Sequence, residues 1–326
     1  MRNNSNLPLP VAVWLAHGSG YDLKPSSNVI SATSMRLPIK SLVLSRKVQE
    51  SGLGTPPTLE ETLPSMLGSA VHTAVEVAWK EGYYEAMLSL GIPESIVQKV
   101  RINPEPEDLS EDIIPVYIEK RRTKEIDGMI ISGKFDIVID GELHDVKTSK
   151  AYGFMSGSND ADYQMQGSIY RWLNSDIITS DYVVLNYLIT DWSALQAQAD
   201  KTYPQSACIS KKVPLHSLAA TEAAVREKLA HLKRYEDADQ EEIPDCTPKE
   251  LWQDSPVWAY YADANKTQRA TKLFEVESDA YTRMQADGNK GLVVRRLAEP
   301  KRCRWCAANP ICLQAEGYRQ SGILKG

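Results

Sequence analysis

The sequence has no run of about 18 or more apolar residues, although 42% of its 326 residues are hydrophobic. No membrane contact is therefore expected, and the chain is long enough to bury a sizeable core. The first residues lack the charged, apolar and small-residue order of a signal peptide, so a cytoplasmic location is expected. A Gly-x-x-x-x-Gly-Lys-Ser/Thr motif is also missing, so no P-loop helicase motor is expected.

Positive charge is the next feature in short supply. The 37 Lys and Arg residues are outnumbered by 43 Asp and Glu residues, which leaves a net charge of -6. This balance lacks the basic footprint of many DNA-binding proteins, but an acidic enzyme can still carry a basic groove. Two local clusters are candidate DNA contacts or, alternatively, solvated faces: Lys120, Arg121, Arg122 and Lys124, and Arg295, Arg296, Lys301, Arg302 and Arg304.

The hydrophobic pattern that is present predicts an α/β fold. Helical periodicity predicts helices over 39–50, 62–88, 162–174 and 218–235, and β-like runs predict strands over 115–119, 128–139, 142–147 and 181–190. Strands bracketed by helices favour a central sheet flanked by helices. We expect three segments: a loop-rich N-terminal segment (1–60), a core (61–238) and a C-terminal cysteine-containing segment packed on the core (239–326).

Two acidic residues and a lysine are predicted to meet on one hairpin. The Asp140-Gly141 pair separates two β-like runs, which is a strong signal for a tight turn. Because strand side chains alternate, Asp145 and Lys147 share one face, and the hairpin folds Asp136 back toward them. Carboxylates hold Mg²⁺, and a lysine beside the ion can position or deprotonate a water and offset phosphate charge. Asp145 and Lys147 alone could equally be a surface pair.

Two further motifs lie on predicted helices on either side of the hairpin. Gly68-Ser-Ala-Val-His72 precedes it, and Gln166-Gly-Ser-Ile-Tyr170 follows it. Taken singly, His72 could be a structural helix histidine. Gln166 and Tyr170, one turn apart, could be a helix-surface pair.

The order Gly-x-x-x-His, Gly-x-x-Asp, Asp-x-Lys, Gln-x-x-x-Tyr resembles the PD-(D/E)XK superfamily, and within it the RecB-like nucleases. The resemblance covers about residues 65–175 and implies a restriction-endonuclease-like core with a mixed sheet. It implies that His72, Asp136, Asp145 and the Val146 carbonyl bind Mg²⁺ or Mn²⁺, and that Lys147 is the catalytic lysine. Gln166 and Tyr170 would support the site and the DNA strand, and Glu119 would have a supporting role.

The five cysteines are unevenly placed, with none before Cys208. An odd number in a long chain does not fit a secreted disulfide framework. Cys303-Arg-Trp-Cys306-Ala-Ala-Asn-Pro-Ile-Cys312 contains a close chelating pair, and Cys246 is the best candidate for a fourth ligand. Cys208 lies in a strand-like context and is expected to be a buried or free thiol.

The C-terminal spacing also matches RecB-like relatives that carry a [4Fe-4S] cluster. The resemblance therefore implies a helical iron–sulfur segment with a structural cluster on Cys246, Cys303, Cys306 and Cys312. In the commonest family arrangement the distant cysteine precedes the nuclease motifs, whereas here Cys246 follows them. Structural Zn²⁺ and four reduced thiols without metal remain the alternatives.

These features together predict a metal-dependent DNA exonuclease acting on single-stranded or end-processed DNA. The resemblance implies recombination, repair or phage DNA metabolism as the setting, a recombinase or single-strand-binding protein as a partner, and a bacterial host for a phage protein. One alternative is a non-catalytic nucleic-acid-binding or scaffold protein that keeps the fold and the metal cluster. The other is a nuclease acting on RNA.

Overall fold

The computed structural model describes residues 4, 6–18, 28–52, 54 and 57–324. Among these residues, no helix is long and apolar enough to cross a membrane. The chain divides into two compact units, one formed by Met1–Arg36 with Pro56–Ala230 and the other by Leu37–Thr55 with His231–Gly326. Residues 37–55 thus belong to the same unit as the C-terminal segment, although residues 56–230 of the other unit separate them in sequence.

The helices are α1 (Leu9–His17), α2 (Ile39–Ser51), α3 (Leu59–Glu81), α4 (Tyr83–Ser89), α5 (Glu94–Val97), α6 (Ala151–Ser156), α7 (Asp160–Leu173), α8 (Ala194–Ala199), α9 (Leu218–Tyr235), α10 (Glu277–Ala286) and α11 (Leu313–Gln320). The strands are β1 (Val29–Ser31), β2 (Val100–Ile102), β3 (Ile114–Ile118), β4 (Arg121–Ile126), β5 (Met129–Lys134), β6 (Ile137–Ile139), β7 (Glu142–Ser149), β8 (Tyr182–Ile189), β9 (Cys208–Pro214), β10 (Val257–Tyr261), β11 (Lys272–Phe274) and β12 (Leu292–Arg296). Short 3₁₀ turns lie at Ser34–Arg36, Pro106–Asp108 and Lys301–Trp305.

Mixed sheets flanked by helices confirm the α/β prediction. In the first unit, a six-stranded sheet has the order β2-β3-β6-β7-β8-β9, with β2/β3 and β7/β8 parallel and the other neighbours antiparallel. A three-stranded sheet in the same unit has the order β1-β5-β4. The second unit contains the antiparallel sheet β11-β10-β12.

The hairpin between β6 and β7 forms at the predicted turn. Asp140 and Gly141 have φ values of 47° and 81°, so both occupy the left-handed region that a type I′ turn requires. The turn aligns Ile139 with Glu142 and Ile137 with His144. Continuing the same register brings Asp136 opposite Asp145.

The predicted single strand over 128–139 is wrong, because the chain forms two strands there. β5 pairs with β4 and β1, whereas β6 pairs with β3 and β7 in the larger sheet. Asp136 lies between β5 and β6, and its carboxylate accepts a hydrogen bond from the Val146 backbone N–H at 2.7 Å. The pairing of β6 with β7 ends at Ile137 and His144, so this side chain replaces the backbone acceptor that a continued strand would have supplied. The predicted helix over 62–88 is likewise interrupted at Gly82, which separates α3 from α4.

Helices α3 and α7 are fixed against the strands that carry the acidic residues. α3 begins at a capping box formed by Thr58 and Glu61, and its residues Val75 and Trp79 pack on a core cluster that includes Val116. α7 buries the consecutive residues Gln166–Gly–Ser–Ile–Tyr170. The packing of these two helices places His72 of α3 and the Gln166/Tyr170 face of α7 on the wall of one cavity.

Candidate active site

Apart from Val146, the predicted metal-binding and catalytic residues line one cavity of about 530 Å³ in the first unit. α3 supplies His72, the segment between β5 and β6 supplies Asp136, β7 supplies Asp145 and Lys147, and α7 supplies Gln166 and Tyr170. Glu119, at the end of β3, lines the same cavity. Five separate chain segments therefore bring their polar groups together. Asp145 and Lys147 line this cavity, so their interpretation as a surface pair is wrong.

Asp145 and Lys147 form a buried ion pair. The Lys147 Nζ atom lies 2.5 Å from Asp145 Oδ2, as their alternation on β7 predicts. Burial raises the pKa of the Asp145 carboxyl, and the ammonium of Lys147 limits that rise. Burial by itself would lower the pKa of Lys147, but the charges of Asp145 and Asp136 outweigh it, so the pKa of Lys147 is raised. Lys147 is therefore an ammonium at neutral pH.

Asp136 connects the hairpin to α3. Its Oδ1 atom lies 3.3 Å from His72 Nδ1, and its Oδ2 atom accepts the Val146 N–H. The hydrogen bond with Asp136 raises the pKa of His72, against the opposing effect of burial. In an extended strand the N–H and C=O of one residue point to the same edge, so the Val146 carbonyl faces the edge where Asp136 lies.

Glu119, to which the resemblance gave only a supporting role, lies beside His72 and Asp136. Within the described part of the chain, His72, Glu119 and Asp136 form the one group of three potential metal-ligating side chains whose donor atoms all lie within 4.8 Å of one another. Glu119 adopts a positive φ of 53°, its backbone N–H donates to the Asp136 carbonyl at 2.8 Å, and its carboxylate pairs with Lys134 at 2.5 Å. Burial raises the pKa of the Glu119 carboxyl.

Gln166 and Tyr170 are both buried, so their interpretation as a helix-surface pair is wrong. The Gln166 amide donates to the Tyr170 hydroxyl at 2.8 Å and to Thr33 Oγ1 at 3.4 Å. Burial and then the nearby charges of Asp145 and Asp136 raise the pKa of Tyr170 well above its ordinary value. Its hydroxyl therefore keeps its proton and remains available as a donor.

Tyr163 is a member of the site that the sequence analysis did not identify. The Lys147 ammonium lies 4.9 Å from the centre of its ring, and the guanidinium of Arg36 lies 5.9 Å from it. An aromatic ring favours a cation over its face, so Tyr163 helps to hold Lys147. The signal was present in the sequence, because positions 163, 166 and 170 fall on one helical face.

Most of the basic residues proposed as DNA contacts are engaged within their own unit. In the first cluster, Arg122 pairs with Asp176, Lys124 pairs with Glu222, Lys120 lies over the Tyr117 ring and Arg121 donates to Ser132. In the second, Lys301 pairs with Asp254, Arg304 pairs with Glu299 and Arg302 is buried over Trp252. Arg295 and Arg296 are exposed and lie over the rings of Trp258 and Tyr261.

Four cysteines surround a small cavity in the second unit: Cys246, Cys303, Cys306 and Cys312. All four are free thiols. Cys208 is also a free thiol, but it lies on β9 of the first unit and is exposed. Burial raises the pKa of Cys246 to about 12 and that of Cys303 to about 11, and the neighbouring thiols add to both shifts. Gln314 of α11 fixes Cys246 by accepting its backbone N–H and donating to its carbonyl, each at 2.9 Å.

Comparison with protein-family models gives no match, and comparison with curated proteins gives none either. Among solved structures, the chain is similar to one described as "Crystal structure of SSO0001", with a TM-score of 0.40 and 14% sequence identity. That likeness covers 68% of this chain and 83% of the other.

Proposed function

We propose that this protein is a metal-dependent DNA exonuclease of the RecB-like branch of the PD-(D/E)XK superfamily, with a restriction-endonuclease-like core. The observation that carries the proposal is the convergence of His72, Glu119 and Asp136 beside the buried Asp145–Lys147 pair. A set of carboxylates, one imidazole and one ammonium in a single cavity is suited to phosphodiester hydrolysis. The order of the motifs along the chain supports the same assignment.

The donor set fits a hard divalent cation such as Mg²⁺ or Mn²⁺. His72, Glu119, Asp136 and Asp145 offer mainly oxygen donors, and the Val146 carbonyl faces the same edge. Three carboxylates in one partly buried cavity repel one another, which a bound cation relieves. When bound, the metal would polarise a phosphoryl oxygen and make a coordinated water more acidic.

Lys147 lies beside Asp145 and within the field of Asp136. As an ammonium it would donate hydrogen bonds, orient the attacking water and offset phosphate charge. The Asp145 carboxylate would be one of the oxygen ligands of the metal. Neutral Tyr170 keeps a hydroxyl donor on the cavity wall, held in place by Gln166.

The size of the cavity favours one strand over a duplex. A volume of about 530 Å³ lies in the range of small-ligand pockets and accommodates a short stretch of a single strand. Hydroxyl groups and a guanidinium line the walls: Ser31, Thr33, Arg36, Ser65, Ser69 and Thr73. Such groups contact the sugar–phosphate backbone, which agrees with single-stranded or end-processed DNA as substrate in recombination, repair or phage DNA metabolism.

A [4Fe-4S] cluster is the proposed occupant of the four-cysteine cavity. The support for it is that Cys246, Cys303, Cys306 and Cys312 line one small cavity, and that the C-terminal spacing matches iron–sulfur relatives. Structural Zn²⁺ is the alternative occupant, and iron, sulfide and zinc analysis of the purified protein distinguishes the two.

The test is metal-dependent degradation of end-labelled single-stranded DNA, duplex DNA and RNA, with Mg²⁺ or with chelator. Asp145→Asn and Lys147→Ala are each expected to lower the rate by about 10²–10⁴-fold. The matched controls Asp181→Asn and Lys212→Ala change exposed residues of the same sheet region and are expected to leave the rate unchanged. Circular dichroism checks the fold of each variant.

Two results would overturn the nuclease proposal. One is full activity in Asp145→Asn or Lys147→Ala. The other is binding of DNA without cleavage under every metal condition, which would instead support the non-catalytic nucleic-acid-binding protein. Faster cleavage of RNA than of DNA would move the assignment to a ribonuclease.

A further inference from the structure

The first turn of α2 lies at the four-cysteine cavity of the second unit. Lys40 and Ser41 line this cavity together with the four thiols, and both residues are buried, with 3% and 5% of their surface exposed. Ser41 Oγ lies 3.2 Å from Cys306 Sγ, a contact across 265 positions in the sequence. A segment that precedes all the nuclease motifs therefore forms part of the wall around the cysteines.

The hydrogen bond between Ser41 and Cys306 has only one possible direction when a metal is bound. Either atom can donate while Cys306 is a thiol. A metal-bound cysteine is a thiolate and has no proton, so the Ser41 hydroxyl must be the donor. A hydroxyl that donates to a ligating sulfur stabilises its negative charge, and it stabilises the more reduced, more negative cluster most.

The buried positive charges around the cavity also favour a negatively charged occupant. Four thiolates with a [4Fe-4S] core carry roughly two negative charges in the oxidised state, which is costly in a buried place without compensation. Lys40 and Arg302 are buried cations on the cavity wall. Lys40 Nζ donates to the Ile243 carbonyl at 3.2 Å and to Asp245 at 2.6 Å, so Asp245 offsets part of its charge. The Asp245 side chain is 67% exposed and the Lys40 side chain is 4% exposed, so solvent screens the carboxylate more than the ammonium.

We propose that Ser41 and Lys40 belong to the metal site. Ser41 donates to the Cys306 thiolate, and the Lys40 ammonium offsets the negative charge of the cluster. Both residues then raise the reduction potential of the cluster and slow its loss. This inference rests on the proposed iron–sulfur cofactor, and neither residue ligates iron.

The experiment compares anaerobically purified wild type with Ser41→Ala, Ser41→Thr and Lys40→Met. Iron and sulfide are counted first, and the midpoint potential is then measured by a dye-mediated redox titration. Ser41→Ala and Lys40→Met are expected to shift the potential to more negative values and to release iron to a chelator several-fold faster. Ser41→Thr keeps the hydroxyl and is expected to restore the wild-type potential.

Two control variants on the same helix separate this role from helix stability. Ser45→Ala removes a hydroxyl one turn further along α2, and Lys47→Met removes an ammonium that donates to the Ala238 carbonyl instead of lining the cavity. Both are expected to keep the wild-type potential. If Ser41→Ala does not fold, the comparison of Lys40→Met with Lys47→Met carries the test.

The failures of the two proposals are distinguishable. Wild-type protein without iron and sulfide, or with zinc instead, would overturn the cluster and this inference with it, while the nuclease assay remains unaffected. A loaded cluster whose potential is unchanged by Ser41→Ala and Lys40→Met would overturn this inference alone. Equal shifts in Ser45→Ala and Lys47→Met would also overturn it, because they would show a general effect of α2.

Discussion

The ammonium of Lys147 lies 2.5 Å from the carboxylate of Asp145, on the same face of β7 and within a largely buried cavity. Each partner changes the protonation of the other. Asp145 helps to keep Lys147 charged, and Lys147 limits the rise in the pKa of Asp145 that burial causes. Removal of one partner therefore changes how the stability of the fold depends on pH.

Lys147→Ala is expected to lose more stability at high pH than at low pH. Without the ammonium, the pKa of buried Asp145 rises further, so the folded state binds a proton that the unfolded state has released. Stability then falls as pH increases above the unfolded pKa of about 3.9. We expect a loss of about 3 kcal/mol relative to wild type at pH 8, and a smaller loss at pH 5. Urea unfolding in the presence of a chelator, between pH 5 and pH 8, measures the loss of stability.

The double variant Asp145→Asn with Lys147→Met serves as the control for this pair. It removes both charges, so the pH dependence that Lys147→Ala introduces should disappear. A stability loss in Lys147→Ala that stays constant from pH 5 to pH 8 would contradict the predicted role of Asp145.

Metal binding is expected to release a proton from His72. The hydrogen bond from His72 to Asp136 raises the pKa of the imidazole, so protons compete with the metal to a higher pH than for an ordinary histidine. Affinity for Mn²⁺ should therefore increase with pH until the pKa of His72 is passed, and level off above it. Calorimetry at neutral pH, in buffers with different ionisation heats, counts the protons released.

His144→Gln provides the comparison for this experiment. His144 pairs with Glu142, does not line the cavity, and its pKa is lowered by burial. Its replacement should leave the proton count unchanged, whereas His72→Gln should remove the released proton. An unchanged count in His72→Gln would exclude His72 as a ligand.

Replacement by alanine is expected to have opposite effects on stability at two glycines of the motifs, Gly133 and Gly68. A Cβ atom at Gly133 would lie 2.7 Å from the Leu173 side chain and 3.0 Å from the Tyr170 ring, so these buried side chains must move, and stability should fall by about 1–3 kcal/mol. A Cβ atom at Gly68 would meet only Thr148 Oγ1, at an ordinary 3.6 Å. Gly68→Ala, in the interior of α3, should therefore increase the free energy of unfolding by up to about 1 kcal/mol.

Thermal unfolding and the nuclease assay together check this pair of glycine variants. Gly133→Ala should also slow cleavage, because the added methyl group displaces the Tyr170 ring and with it the hydrogen bond to Gln166. A destabilised Gly68→Ala would show that the wall formed by α3 has less space than its geometry indicates.

Cys246 is expected to be required for metal loading, and Cys208 is expected to be dispensable. Cys246 lines the cavity with the other three thiols, whereas Cys208 is exposed on β9. Cys246→Ser should lose most of the bound iron and the brown colour, and Cys208→Ser should keep both. Elemental analysis after anaerobic purification measures the difference, and equal iron content in the two variants would exclude Cys246 as the fourth ligand.

Local chemistry explains what the sequence predicted well. The turn at Asp140-Gly141 depends on two adjacent residues that tolerate positive φ, and the pairing of Asp145 with Lys147 depends only on strand alternation. The same rule would have found the hairpin between β4 and β5, because Asp127-Gly128 also adopts positive φ at its turn. The sequence analysis had instead assigned 121–124 to a basic cluster.

Features that the sequence did not predict depend on contacts between distant segments of the chain. The β-like run over 128–139 contains the charged residues Lys134 and Asp136, but the sequence does not show that the chain changes sheets there, because that change depends on which strands pair with each half. The approach of Glu119 to His72 depends on a positive φ at a glutamate, which no residue preference indicates. The contact of Ser41 with Cys306 spans 265 positions and leaves no local pattern.

The discontinuity of the second unit has a consequence for biosynthesis. A ribosome completes α2 long before the four cysteines emerge, and residues 56–230 of the unit that contains Lys147 are translated in between. The apolar residues Leu42, Val43, Leu44 and Val48, which are buried in the finished protein, must wait for their C-terminal partners. Insertion of the proposed cluster would therefore follow translation of the last cysteine, when α2 and the C-terminal segment can first pack together.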